Sequence, residues 1–234
     1  MFNRLLIIGC GLIGSSILRA ASSKKLSKKI FIYEKSNKNI SEVKKLKISC
    51  QILKNLNKDI SDIDFVIICT PMSEYHKIIP KLNAHLSSKS LITDVGSTKT
   101  NVLKLIKKQL EKKLKWIPSH PIAGSEVSGP EYGNKNLFLN KWCVIIREKT
   151  TNLKKLKVLK KFWKKLGSQV IFMNANSHDK IFSITSHLPH LIAYNLIKTA
   201  KDFEKIQKNS LIKFSAGGLR DFSRIAASNE IMWR

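Results

Sequence analysis

GCGLIG, residues 9–14, follows the apolar run RLLII at 4–8 and leads into a helical stretch at 12–24. A lone G-x-G-x-x-G is a weak signal. Here it leaves a strand, opens a helix and is followed by a second strand, KIFIYE at 29–34, which ends on Glu34. A strand, a glycine turn, a helix and a strand ending in an acid form the dinucleotide-binding arrangement. Gly9 permits the tight turn and Gly11 lets a pyrophosphate approach the backbone. Gly14 lets the helix lie close on the sheet, and the free N–H groups at the helix start meet the phosphate charge. Residues Gly9, Cys10, Gly11, Leu12, Ile13 and Gly14 are therefore the candidate phosphate-binding turn.

Glu34 is placed to accept hydrogen bonds from the adenine ribose hydroxyls. A carboxylate there repels a 2′-phosphate, which favours NAD over NADP. Lys35 beside it pulls the other way.

Outward from this unit the alternation continues. Strand-like runs lie at 49–53, 64–70, 90–95, 115–118, 141–147 and 168–173, with helical spacing at 40–47, 73–86, 98–114 and 152–166. Most of these strands are continuous apolar runs, as expected when a parallel sheet is covered on both faces. After residue 174 the strand pattern stops. Residues 176–205 and 208–229 read as helices, with Pro189 kinking the first. The fold class is therefore α/β: a Rossmann-type parallel-sheet domain over 1–174, then a helical domain over 175–234.

Of the 234 residues 43% are hydrophobic, which suits a globular fold. No apolar run is long enough to span a bilayer, and the N-terminal LLII is interrupted by glycines, so it reads as a buried strand of a cytoplasmic protein. Cys10, Cys50, Cys69 and Cys143 are too scattered for a metal or disulfide framework. The net charge of +27 raises the question of nucleic acid or an anionic membrane. But only six of the 43 basic residues are arginine, and the lysines spread over nearly every helical segment. Neither clustered arginines among aromatics nor zinc-finger spacing is present. Neither nucleic acid nor membrane is expected as a partner.

Two further strand ends, CTP at 69–71 and DVGSTK at 94–99, fall at the edge where ligands sit in open α/β sheets. Thr70, Pro71 and Ser97 are candidates for the nicotinamide half, although Ser97 or Thr98 could instead cap the next helix. Three clusters remain: SHPIAGSE at 119–126, SHLPH at 186–190 and GGLRDFSRIAASNEIMW at 217–233. Oxidising an alcohol calls for a base, and histidine has the right range. His120 follows a strand-like segment; taken alone, a histidine before proline is more often a turn residue. Arg220 and Arg224 lie four apart and suit an anionic substrate. Arg220 could equally pair with Asp221 or Asp202.

In this order, SHPIAGSE, SHLPH and RDFSRIAASN are far more specific than the glycine motif. With LLIIGCGLIGSS, VIICTP and ITDVGSTK, they make the chain resemble the TyrA-type prephenate or arogenate dehydrogenases of tyrosine biosynthesis over nearly its whole length. That resemblance implies NAD-dependent oxidative decarboxylation of prephenate to 4-hydroxyphenylpyruvate, or of arogenate to tyrosine, by a homodimer. It implies that His120 is the base on the C4 hydroxyl, with Ser97 orienting it. It implies that His190 binds substrate, Arg224 holds a substrate carboxylate, Glu126 gates the pocket, and Gly217 and Trp233 line it. Members of that family usually continue beyond the equivalent of Arg234 with further helices, so the helical domain is expected to be shortened.

Overall fold

The computed structural model describes residues 1–57, 60–124, 127–207, 212–214 and 217–227. It divides into two compact units: Met1–Gly124 with Ser128–His178, and Ser125–Val127 with Asp179–Arg234.

The first unit is built on a six-stranded sheet. Its strands are β1 (Phe2–Ile8), β2 (Ser27–Tyr33), β3 (Gln51–Leu53), β4 (Phe65–Ile68), β5 (Leu91–Asp94) and β6 (Lys115–Trp116). Their order is β3-β2-β1-β4-β5-β6, and every pair is parallel. The order reverses beside β1, between β1 and β4, which creates the crevice where such sheets bind ligands.

The apolar runs are continuous because both sheet faces are covered. Leu5 and Ile7 of β1, Ile30 and Ile32 of β2, and Phe65 and Ile67 of β4 belong to one core. Their alternates Leu6, Ile8, Phe31, Tyr33, Val66 and Ile68 belong to the other. Helices α1 (Leu12–Ser23) and α5 (Leu153–Leu166) fill the first core. There the Phe2 ring stacks on Phe65 at 4.5 Å, and Phe162 meets Phe65 edge-on at 4.9 Å. Helices α3 (Tyr75–His85) and α4 (Thr100–Gln109) supply the second core, through Tyr75, Ile78, Ile79, Leu82 and Val102. The short helix α2 (Asn37–Lys45) lies between β2 and β3.

The strands beyond Trp116 leave the parallel sheet. KWIP at 115–118 is not a single strand. β6 ends at Trp116, and Ser119–Pro121 forms β7 of a second, three-stranded sheet with β8 (Trp142–Ile146) and β9 (Gln169–Met173). β7 runs antiparallel to β8, and β8 parallel to β9. α5 makes the β8–β9 crossover. Asn152 caps its start by accepting from Lys155 N at 3.0 Å, and Gly167, at φ +101°, ends it.

After β9 come α6 (Ala175–Phe182), a π-helical turn at Ser183–His187 and α7 (Leu188–Gln207). The wide turn falls just ahead of Pro189, which has no N–H to continue the ladder. The single helix expected over 208–229 is shorter among the described residues: a 3₁₀ turn at Ile212–Phe214, then α8 (Gly217–Ala226). Its first residues, Gly217 and Gly218, are poor in a helix interior and tolerable at its beginning. No helix among the described residues is long and apolar enough to cross a membrane.

Candidate active site

Parallel register aligns the strand ends. Ile8 pairs with both Tyr33 and Ile68, and Ile68 with Asp94. The residues that follow, Gly9, Glu34, Cys69 and Val95, therefore emerge in one row at the carboxyl edge.

Gly9 sits at φ +87°, and a Cβ there would lie 2.8 Å from Thr70 Cγ2 and 2.9 Å from the Cys69 carbonyl carbon. Only glycine meets both demands. A Cβ on Gly14 would overlap the Gly9 carbonyl oxygen. A Cβ on Gly11 would meet nothing within 4 Å, so the open side of the turn is at Gly11. No side chain caps α1, which leaves its first N–H groups for an anion. Burial, reinforced by Glu34, pushes the Cys10 thiol up to about 12, so it stays neutral beside that cradle. Gly14→Ala is expected to cost about 1–3 kcal/mol through overpacking and to weaken dinucleotide binding. Urea unfolding and cofactor titration measure the two effects.

Glu34 Oε2 accepts from Cys10 N at 2.7 Å, and Oε1 accepts from Lys35 N at 2.8 Å and Ser36 N at 2.9 Å. The carboxylate is thus fixed at the end of β2 by backbone donors and ties that end to the glycine turn. Lys35 turns to Glu74, with Nζ 2.9 Å from Oε2. Hydrogen bonds from Lys77 and Lys35 hold the Glu74 carboxyl down to about 2.

At the end of β4, Thr70 Oγ1 is buried without a hydrogen-bond partner. An orphaned hydroxyl beside the glycine turn, a backbone open at Gly11 and a carboxylate at the end of β2 together fit a dinucleotide. Pro71 is exposed next to Thr70. Ser97 is half-buried beyond β5. It does not cap α4, because the cap position is Lys99 and no side chain bonds there. Thr98 instead donates to Met72 Sδ at 3.4 Å.

Lys99 carries no individual signal in the sequence, yet it sits at the centre of a buried polar cluster. Its ammonium is fully buried, 2.6 Å from Asp94 Oδ2 and 2.6 Å from Ser119 O. Asp94 is also fully buried and accepts from Tyr75 OH at 3.2 Å, Gly96 N at 3.0 Å and Trp116 Nε1 at 3.1 Å. Ser119 Oγ donates to Asp94 O at 2.8 Å and accepts from Trp163 Nε1 at 3.1 Å. This polar knot joins the end of β5 to the residue just before His120.

His120 is not a turn residue. It lies inside β7, paired with Val144 of β8. Its ring is partly exposed, and Nδ1 lies 2.9 Å from Nε2 of His178. His178 stands in NANSHDK, a stretch with no motif signal.

In the second unit, α7 and α8 pack on each other. His190 is half-buried on α7, its Nδ1 2.8 Å from Ser186 O. Gly217 starts α8 in open space, and Arg224 is exposed in its last turn. Asp202 meets Lys205 at 3.6 Å rather than Arg220. Glu126 and Trp233 lie outside the described residues. No group of three or more potential metal ligands occurs among the described residues.

Residues 18–172 match the family described as prephenate dehydrogenase, nucleotide-binding domain, and residues 174–234 match prephenate dehydrogenase, dimerization domain. The chain is 30% identical over 234 residues to a cyclohexadienyl dehydrogenase of Zymomonas mobilis, covering 100% of itself and 80% of that protein. It is 32% identical to a prephenate dehydrogenase of Lactococcus lactis, covering 99% of itself and 63% of that protein. Among solved structures it resembles prephenate dehydrogenase from A. aeolicus in complex with hydroxyphenyl propionate and NAD+. The TM-score is 0.91 and the identity 33%, over 99% of this chain and 80% of that one.

Proposed function

We propose that this chain, which belongs to the prephenate dehydrogenase family, carries out NAD-dependent oxidative decarboxylation of prephenate to 4-hydroxyphenylpyruvate. The observation that carries this reading is the position of His120. It stands on a strand tied through Ser119 to the end of β5, the strand whose end shares a row with the glycine turn.

Gly9–Gly14, Glu34, Thr70, Pro71 and Ser97 would hold NAD. When bound, NAD supplies the hydride acceptor. The chain's own residues do the rest. His120 takes the proton of the C4 hydroxyl as the C4–H pair leaves, so the oxygen develops carbonyl character without building positive charge. The bond from C1 to the carboxylate then breaks, its electron pair makes the ring aromatic, and CO2 departs. The proton held on His120 returns to the phenolic oxygen, which closes the balance. Aromatisation drives this second half, so it needs no dedicated acid. Arg224 binds a substrate carboxylate with its planar fork, and His190 binds the substrate beside it. Ser97 orients His120, and Glu126, Gly217 and Trp233 shape the pocket.

The acid at position 34 favours NAD over NADP, because the neighbouring Lys35 is engaged by Glu74. The four cysteines are free, which suits the reducing cytoplasm. A second copy of the chain completes the assembly. Ile184, Leu191, Ile206 and Phe214 of the second unit are each more than half exposed, which gives that copy an apolar surface to cover. Sedimentation velocity at micromolar concentration is expected to give a dimer; a monomer counts against it.

The direct test is NADH absorbance with prephenate, with arogenate, and with NADP replacing NAD. Turnover is expected to be fastest with prephenate and NAD. Faster turnover with arogenate would make this an arogenate dehydrogenase, and no reduction in any combination would overturn the dehydrogenase reading.

A further inference from the structure

His178 belongs to no motif, yet it is fully buried and touches the candidate base directly. The two imidazoles meet Nδ1 to Nε2 at 2.9 Å, with centroids 5.1 Å apart and planes inclined by 60°. We infer that His178 is a positioning residue that sets the tautomer and ring orientation of His120, an inference that rests on the reading of His120 as base.

Between two neutral imidazoles a single hydrogen serves the contact. If His178 donates it, the hydrogen of His120 sits on Nε2, and no lone pair faces a substrate. If His120 donates from Nδ1, Nε2 keeps its lone pair and can take a proton. A base at His120 therefore requires His178 to accept through Nε2 and carry its own hydrogen on Nδ1. When the hydroxyl proton reaches His120 Nε2, the Nδ1–H···Nε2 bond becomes charge-assisted and stronger. The bond thus favours the protonated state formed during the reaction over the resting state, as differential stabilisation requires.

A buried carboxylate does this job in serine hydrolases. A neutral imidazole orients the base without placing a negative charge near a substrate that itself carries carboxylates.

The surroundings hold both rings in place. His120 is fixed by β7–β8 pairing. His178 is in the first turn of α6, directly after β9, which pairs with the other edge of β8. Asn174 anchors that turn: its Oδ1 accepts from Ser177 N at 2.8 Å and its carbonyl accepts from His178 N at 3.0 Å. Ala175 N donates to Glu148 Oε1 at 3.0 Å. One three-stranded sheet thus carries both partners.

The experiment is a double-mutant cycle in the NADH assay with His178→Phe, His178→Gln and His120→Asn. His178→Phe is expected to lower kcat by about 10–100-fold, the usual size of losing an orienting partner, with the KM for NAD unchanged. His178→Gln keeps an acceptor oxygen for Nδ1–H and is expected to recover most of that loss. With Asn at 120, His178→Phe is expected to cost nothing more, because the group it orients is gone.

A full additional loss in that background, or equal damage from Gln and Phe, would overturn the positioning role and leave the base reading standing. If His120→Asn alone keeps near-wild-type turnover, the base reading is what failed, and this inference falls with it.

Discussion

Replacing His120 by asparagine is expected to lower kcat by about 10²–10⁴-fold, the usual worth of general-base assistance. That corresponds to about 3–5 kcal/mol in the barrier. Asparagine approximates the near half of the imidazole and can still donate to His178, so the pocket keeps its shape. It cannot take a proton, and that is the whole of the intended change. The fold is not at risk: the β7–β8 pairing uses the backbone of residue 120, and the side chain is partly exposed. Cofactor affinity is expected to hold, because the glycine turn, Glu34 and Thr70 follow the ends of β1, β2 and β4. The variant should therefore bind NAD normally and turn over slowly. Stopped-flow NADH absorbance with a parallel NAD titration reads both numbers. Turnover within a few-fold of wild type removes His120 from the chemistry, whereas loss of NAD binding shows damage beyond proton transfer.

The glycine turn and the large strands were legible because their signals are local. β1, β2, β4 and β5 are apolar runs long enough to stand out, and a sheet buried on both faces makes them continuous. β7 was not legible. Three residues, one of them histidine and one proline, carry no strand periodicity, and the change of sheet between Trp116 and Ser119 depends on pairing with β8 some two dozen residues later. Lys99 was hidden for a different reason. In a chain with 43 basic residues, one more lysine near a strand end draws no notice. Its burial follows from Asp94 and Ser119, which only tertiary structure brings together. The same holds for His178, 58 residues from its partner. The residues that resemblance assigned were visible through motif order; the ones that support them were not, because support is a matter of packing.

Lys99→Met is expected to destabilise the protein by about 3–5 kcal/mol, the usual penalty for stranding one member of a buried ion pair. The pair itself is weak evidence of stability, since removing two charges from water costs about as much as their attraction returns. Its removal by halves is another matter. Without the ammonium, Asp94 keeps Tyr75, Gly96 and Trp116 as donors but holds a buried charge with no counterion, and the Ser119 carbonyl loses its Lys99 donor. Against a typical total of about 5–15 kcal/mol the loss is large. Adding Asp94→Asn to Lys99→Met takes away the stranded charge while keeping an oxygen acceptor, so the double variant should recover part of the loss. Urea midpoints at constant m separate these cases. A Lys99→Met cost below about 1 kcal/mol, or a double variant worse than both single ones, would show that charge is not what the site balances. Any surviving Lys99→Met enzyme should also show reduced kcat, because the lost bond is one of those seating the residue before His120.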